Sequence, residues 1–130
     1  MHLEDFVEKT KDFGETFPRE KLREIYKCEN GDAFEKFYSG VVKIHNNDVA
    51  GGIADLKESL KIEGGNPFPY HFMYMASLFS DEVSDEEIFD MVNEWVRVAE
   101  KSGIQRQISF SRAARAHENH RRMKDFSVVV

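Results

Sequence analysis

Residues 40–67 read Gly40-Val-Val-Lys-Ile-His-Asn-Asn-Asp-Val-Ala-Gly-Gly-Ile-Ala-Asp-Leu-Lys-Glu-Ser-Leu-Lys-Ile-Glu-Gly-Gly-Asn-Pro67. Two helical rhythms meet in this stretch. On the far side of Asn46-Asn47, Val49, Ile53, Leu56 and Leu60 are spaced four, three and four apart. At about 100° per residue such positions fall on one narrow face of a helix. Asp48 stands just before them, where a side-chain oxygen can accept a bond from a free helical N–H. On the near side, Phe34, Phe37, Tyr38, Val41 and Val42 give the same i, i+3, i+4 repeat, opened by Asp32 and Glu35 at capping-box spacing. Gly51-Gly52 inside the second helix should cost roughly 1 kcal/mol per glycine relative to alanine. Close approach of the first helix at Gly40 is the compensation that this predicts.

The pattern continues outward. Asn30-Gly31 is expected to end a helix carrying Leu22, Ile25 and Tyr26, and a further helix is expected on Leu3, Phe6 and Val7. Gly64-Gly65-Asn66-Pro67 reads as a glycine stop, an Asn cap and a proline at a first helical position. Phe68, Phe72, Met73, Met75, Ala76 and Phe79 follow on an apolar helix. Ser84 and Glu87 form another capping box, ahead of Ile88, Met91, Val92, Trp95 and Ala99, and Gly103 is the stop. The last segment is less regular. A break near Ser109-Phe110-Ser111 is expected, with Phe110, Ala113, His117 and His120 on one face and the arginines on the other. The tail Ser127–Val130 is expected frayed or extended. The expected fold class is all-α, with antiparallel helical hairpins in an irregular bundle or a regular stack of six to seven helices.

Residues 40–67 resemble a tetratricopeptide repeat. Gly40 matches the small residue of that family's first helix and Gly52 the small residue opening its second. Leu56, Ser59-Leu60 and Asn66-Pro67 match later positions, and Gly40 to Tyr74 is the family's 34-residue step. Lys36, Gly64 and Tyr74 depart from the pattern. The resemblance extends over residues 32–101, preceded by N-terminal helices (1–31) and followed by a basic helix and tail (104–130), all in one domain. It implies that first helices line a receptive groove, here the 33–45 and 67–80 helices. A peptide or partner helix is expected there, contacted by Lys36, Lys43, Tyr70, Tyr74 and Arg112.

Composition supports a non-enzymatic, soluble, cytoplasmic module of 130 residues. Cys28 is the one cysteine, so no intrachain disulfide forms and a reducing compartment fits. No apolar run reaches the roughly 20 residues of a membrane span, and the start lacks a signal peptide's pattern. No phosphate-binding or nucleophile motif occurs, and no cofactor is expected. His117 and His120 are three apart, short of the His-Glu-x-x-His of a zinc protease helix, so no metal is expected. Residues 1–103 carry 12 Lys/Arg and 22 Asp/Glu, a balance of −10, whereas residues 104–130 carry 6 and 2, a balance of +4. The basic end is expected either to dock on the chain's own carboxylates (Asp81, Glu82, Asp85–Glu87) or to meet an outside anion. In the second case Arg112, Arg115, Arg121, Arg122 and Lys124 would contact phosphate, making nucleic-acid or ribonucleoprotein contact the alternative function. A homo-oligomer is a further expectation, since short helical arrays expose their ends.

Overall fold

The computed structural model describes residues 19–26, 29–81 and 83–129. Among the described residues there are six helices and no strand: α1 (Arg19–Ile25), α2 (Gly31–His45), α3 (Val49–Ile62), α4 (Phe68–Ser77), α5 (Asp85–Ser102) and α6 (Gln105–Val129). The helix expected on Leu3, Phe6 and Val7, and the packing of Cys28, lie outside these residues. No helix of the described residues is long and apolar enough to cross a membrane.

The caps show why the helices begin and end here. Asp48 Oδ1 accepts from Gly51 N–H at 3.0 Å, and Ser84 Oγ accepts from Glu87 N–H at 3.1 Å. Replacing Ser84 by alanine should lower stability by about 1 kcal/mol, read from the urea midpoint. Gly103 closes α5 in the left-handed region at φ 71°, and Asn47 turns the α2–α3 link at φ 73°. Two cap expectations are corrected. Asn30 and Gly31 open α2 rather than closing α1: Asn30 is the N-cap at φ −99°, and its Oδ1 accepts from Asp32 N–H at 2.8 Å. The backbone N–H of Asp32, which Glu35 would take in the expected capping box, is thus used by Asn30, and the N–H of Asn30 goes to Glu63 Oε1 at 3.1 Å. Glu35 is thereby left to pair with Arg19. Gly64 is not a left-handed stop either, because α3 ends on an extended Glu63 at φ −147°.

Each helix packs against its neighbour in sequence, and α4 also reaches back to α2 and forward to α6. The pairs across α2 and α3 run in opposite directions. Ser59 Oγ donates to Ala33 O, Ser39 Oγ donates to Asp55 Oδ2, and Gly40 meets Gly52. A Cβ built on Gly40 would stand 2.9 Å from the Gly52 carbonyl oxygen, and one on Gly52 2.8 Å from that of Gly40. The two glycines therefore do let the backbones touch, as their placement in the sequence requires. α5 and α6 are antiparallel too, since Trp95 pairs with Gln107 and Asp85 with Arg121. α4 and α6 run parallel, with His71 beside Gln107 and Tyr74 beside Glu118.

The main core joins α1 to α4. Leu22, Tyr26, Phe34, Phe37 and Leu56 are essentially inaccessible to solvent. Tyr26 and Phe37 stack at 4.4 Å, and Phe72 meets Phe37 edge-on at 5.6 Å. Such aromatic pairs add to burial at roughly 0.5–1.5 kcal/mol each. A second cluster of Tyr74, Ile88, Val92, Trp95, Ala99 and Ala114 ties α4, α5 and α6.

α6 departs most from its sequence pattern. It runs unbroken through Ser109–Ser111, so the break is absent, and residues 127–129 of the expected frayed tail are helical, with Val130 outside the described residues. Among the described residues its buried positions are Gln107, Ser111, Ala114 and Glu118, whereas Phe110, Ala113, His117 and His120 are exposed. The expected face was therefore the wrong one. The spacing of four, three and four is fully helical, but three of the four residues are polar. They are held by hydrogen bonds that hydropathy does not register.

Candidate interaction site

The groove expected between α2 and α4 is filled by the protein's own side chains. The apolar stripe of α2 (Phe34, Phe37, Val41, Ile44) is covered by α1, α3 and α4 within one core, and Met73 and Ala76 of α4 close the same space. The lysines stand elsewhere, on the flank of α2 that borders α3. Lys36 is exposed there. Lys43 Nζ lies 2.8 Å from Asp55 Oδ2, which also accepts from Ser39 Oγ at 2.6 Å. Burial works to raise the Asp55 carboxyl, but the Lys43 and Ser39 bonds outweigh it and hold the group below its ordinary value.

The tyrosines face the other way. Tyr70 is half-buried beside Glu94 and Arg97 of α5, and its phenol is raised by burial and then by the Glu94 charge. Tyr74 is buried, and its hydroxyl donates to Glu118 Oε2 at 3.0 Å. Burial and the adjacent Glu118 charge push that phenol well above the usual range. Lys36 and Lys43 on one side and Tyr70 and Tyr74 on the other are thus not gathered into one surface.

The basic helix docks largely inward. Arg112 pairs with Glu100 at 3.0 Å, and Arg121 bridges Glu118 at 2.8 Å and Asp85 at 3.0 Å. The Arg122 guanidinium sits 4.1 Å from the centre of the Phe89 ring. Arg115 is half-buried, and the Lys124 side chain lies outside the described residues. Arg112 and Arg121 therefore answer the chain's own carboxylates, one of the two roles expected for the basic end.

Two features were not singled out by sequence reasoning. One is a polar seam under α6. Trp95 Nε1 donates to Gln107 Oε1 at 3.0 Å, and Gln107 Nε2 lies 3.1 Å from His71 Nδ1. Glu118, only 3% exposed, accepts from Tyr74 and Arg121. The helical spacing of Gln107, Ser111, Ala114 and Glu118 was the available signal. The other is an open cleft of about 780 Å³, where the α1–α2, α3–α4 and α5–α6 links come together at one end of the stack. Ile25, Pro67, Phe68 and Ile104 supply its apolar lining, and Glu29 and Glu63 supply its acidic members. Glu63 also accepts the backbone N–H groups of Glu29 and Asn30, which fixes that wall. No sequence signal marks this cleft, because its lining comes from three separate links. Comparison with family models, with curated proteins and with solved structures finds no match.

Proposed function

We propose that the chain is a non-enzymatic interaction module built of tetratricopeptide-like hairpins, holding a peptide or partner helix at the end of the stack. The observation that carries this reading is the cleft of about 780 Å³ between the three inter-hairpin links, with Ile104 still 38% exposed at its edge. The touching glycines and the alternating helix directions support the tetratricopeptide-like part. The α2–α4 groove is filled, so the partner is assigned to the cleft instead. An apolar side chain laid over Ile25, Phe68 and Ile104 removes its own surface and theirs from water, at about 25 cal/mol per Å². The chain's single cysteine accords with a reducing, cytoplasmic setting.

A photo-crosslinking residue placed at Ile104, with a second at exposed Lys36 as reference, tests this in cells of the native source. One dominant adduct from position 104 and none from 36 is the expected result. Equal labelling from both positions removes the cleft from consideration. With the crosslinker kept at position 104, Gly65→Arg, at an exposed lining position where a Cβ meets nothing within 4 Å, should weaken the adduct while leaving the melting temperature within about 2 °C, since an exposed substitution costs about 0.5 kcal/mol or less.

A further inference from the structure

We propose that α6 is an acid-released latch, locked at neutral pH by the Trp95–Gln107–His71 hydrogen-bond chain and opened when His71 takes up a proton. The direction of that chain is fixed by its first member. An indole N–H only donates, so the Gln107 oxygen must face Trp95 and its amide nitrogen must face His71. His71 Nδ1 is then an acceptor, and the ring is the neutral Nε2–H tautomer. A carboxamide oxygen at Nδ1 would favour the charged ring, but that oxygen is taken by Trp95. In the imidazolium both nitrogens carry hydrogen, and Nδ1–H would point at an N–H donor. Turning the Gln107 amide over only moves the clash to Trp95.

The half-buried ring meets no counter-charge among the described residues. His71 packs against Phe72 on its own helix, Trp95 on α5, and Gln107 and Phe110 on α6. No charged group among the described residues shifts its titration, and burial pushes it below the ordinary histidine value. The other ionisable groups of the seam, Tyr74, Glu118 and Arg121, bond one another farther along α4 and α6. Exposed His117 lies 4.0 Å from Glu118 of its own helix.

The latch is also the part best able to leave. Among the described residues α6 contributes none to the α1–α4 core, and of its four buried positions there only Ala114 is apolar. Elements with little buried apolar surface open below the global unfolding free energy. Release bares Tyr74, Trp95 and the Ile88–Val92 strip.

The sign follows from linkage. The open form binds a proton near the free histidine value of about 6.5, and the closed form binds it only at lower pH. The latch is therefore fully held above about 6.5, and its open population grows up to about tenfold per pH unit below that.

Hydrogen exchange read by mass spectrometry on the full chain, corrected for intrinsic rates, tests this between pH 7.5 and 5.5. Peptides from 105–123 should exchange about tenfold faster at the lower pH, with α2 and α3 peptides unchanged and the single tryptophan's emission shifting in step. His71→Gln should abolish the pH effect. Gln107→Glu, which gives Trp95 and a charged His71 a common acceptor, should reverse it. Parallel acceleration of α2–α3 and α6, or an acid step that survives in His71→Gln, overturns the proposal. If the variants do not fold, NMR titration of the wild-type histidines decides: a midpoint of α6 exchange following His71 supports the latch, and one following His117 or His120 overturns it.

Discussion

Gly52→Ala should destabilise the protein by about 2–3 kcal/mol, although glycine to alanine inside a helix ordinarily stabilises. The added methyl would meet Ile44 Cγ1 at 2.4 Å and the Gly40 carbonyl oxygen at 2.8 Å. The isoleucine can turn aside, but the carbonyl belongs to a helix and cannot, so α2 and α3 must separate along their whole contact. Gly40→Ala meets the Gly52 oxygen from the other side and should behave alike. Gly31→Ala is the matched control. A methyl there has nothing within 4 Å, and it should stabilise by about 0.5 kcal/mol through the unfolded chain. Urea midpoints of the three variants give the answer. If all three shift in the same direction, backbone contact between the two helices is not what Gly40 and Gly52 provide.

Arg121→Leu is the second large effect, with an expected loss of about 2–3 kcal/mol. Glu118 is almost wholly buried, and its partners are Arg121 and the Tyr74 hydroxyl. Removing the cation leaves a buried carboxylate without its counter-charge, a change that typically costs about 3–5 kcal/mol. Arg121 itself is 37% exposed, so water can enter and soften the loss toward the lower figure. Glu118→Gln should cost only about 1 kcal/mol. Its amide oxygen can accept from Arg121 while its amide N–H donates to the Tyr74 hydroxyl, which can accept as well as donate, and Arg121 keeps Asp85. Chemical denaturation at neutral pH checks the asymmetry. Equal losses in the two variants mean that geometry, and not the unpaired charge, holds this end of α6.

The parts of the fold visible in the sequence were those governed by apolar spacing and by caps. Val49 to Leu60, the Asp48 and Ser84 caps and the Gly103 stop all follow from local rules, and each holds in the structure. Gly40 and Gly52 went further, because two bare positions on facing helices admit a simple explanation. The seam under α6 was not visible. Gln107 and Glu118 are buried because Trp95, His71, Tyr74 and Arg121 come to meet them, and those residues are brought together by tertiary packing. The site residues failed for a related reason. Lys36 and Lys43 stood out against an apolar helix, yet a helix with an apolar stripe always has a polar flank, and this flank borders α3. Tyr74 was expected to be a contact residue because it lies on a helix that the resemblance makes groove-lining. Its partner lies 44 residues away in the chain.

The packing of each helix mainly on its sequence neighbour bears on kinetics as well as on shape. Contacts formed between segments close in the chain need little loop closure, and proteins built this way fold in microseconds to milliseconds. The α2–α3 hairpin, with its three-residue link and touching backbones, is the natural nucleus, and α1 and α4 can each condense on it without waiting for the other. During synthesis the ribosome releases these helices in the order in which they need one another. A growing chain then seldom carries a finished apolar face with no neighbour to receive it, and α6 is the last of the six to be added.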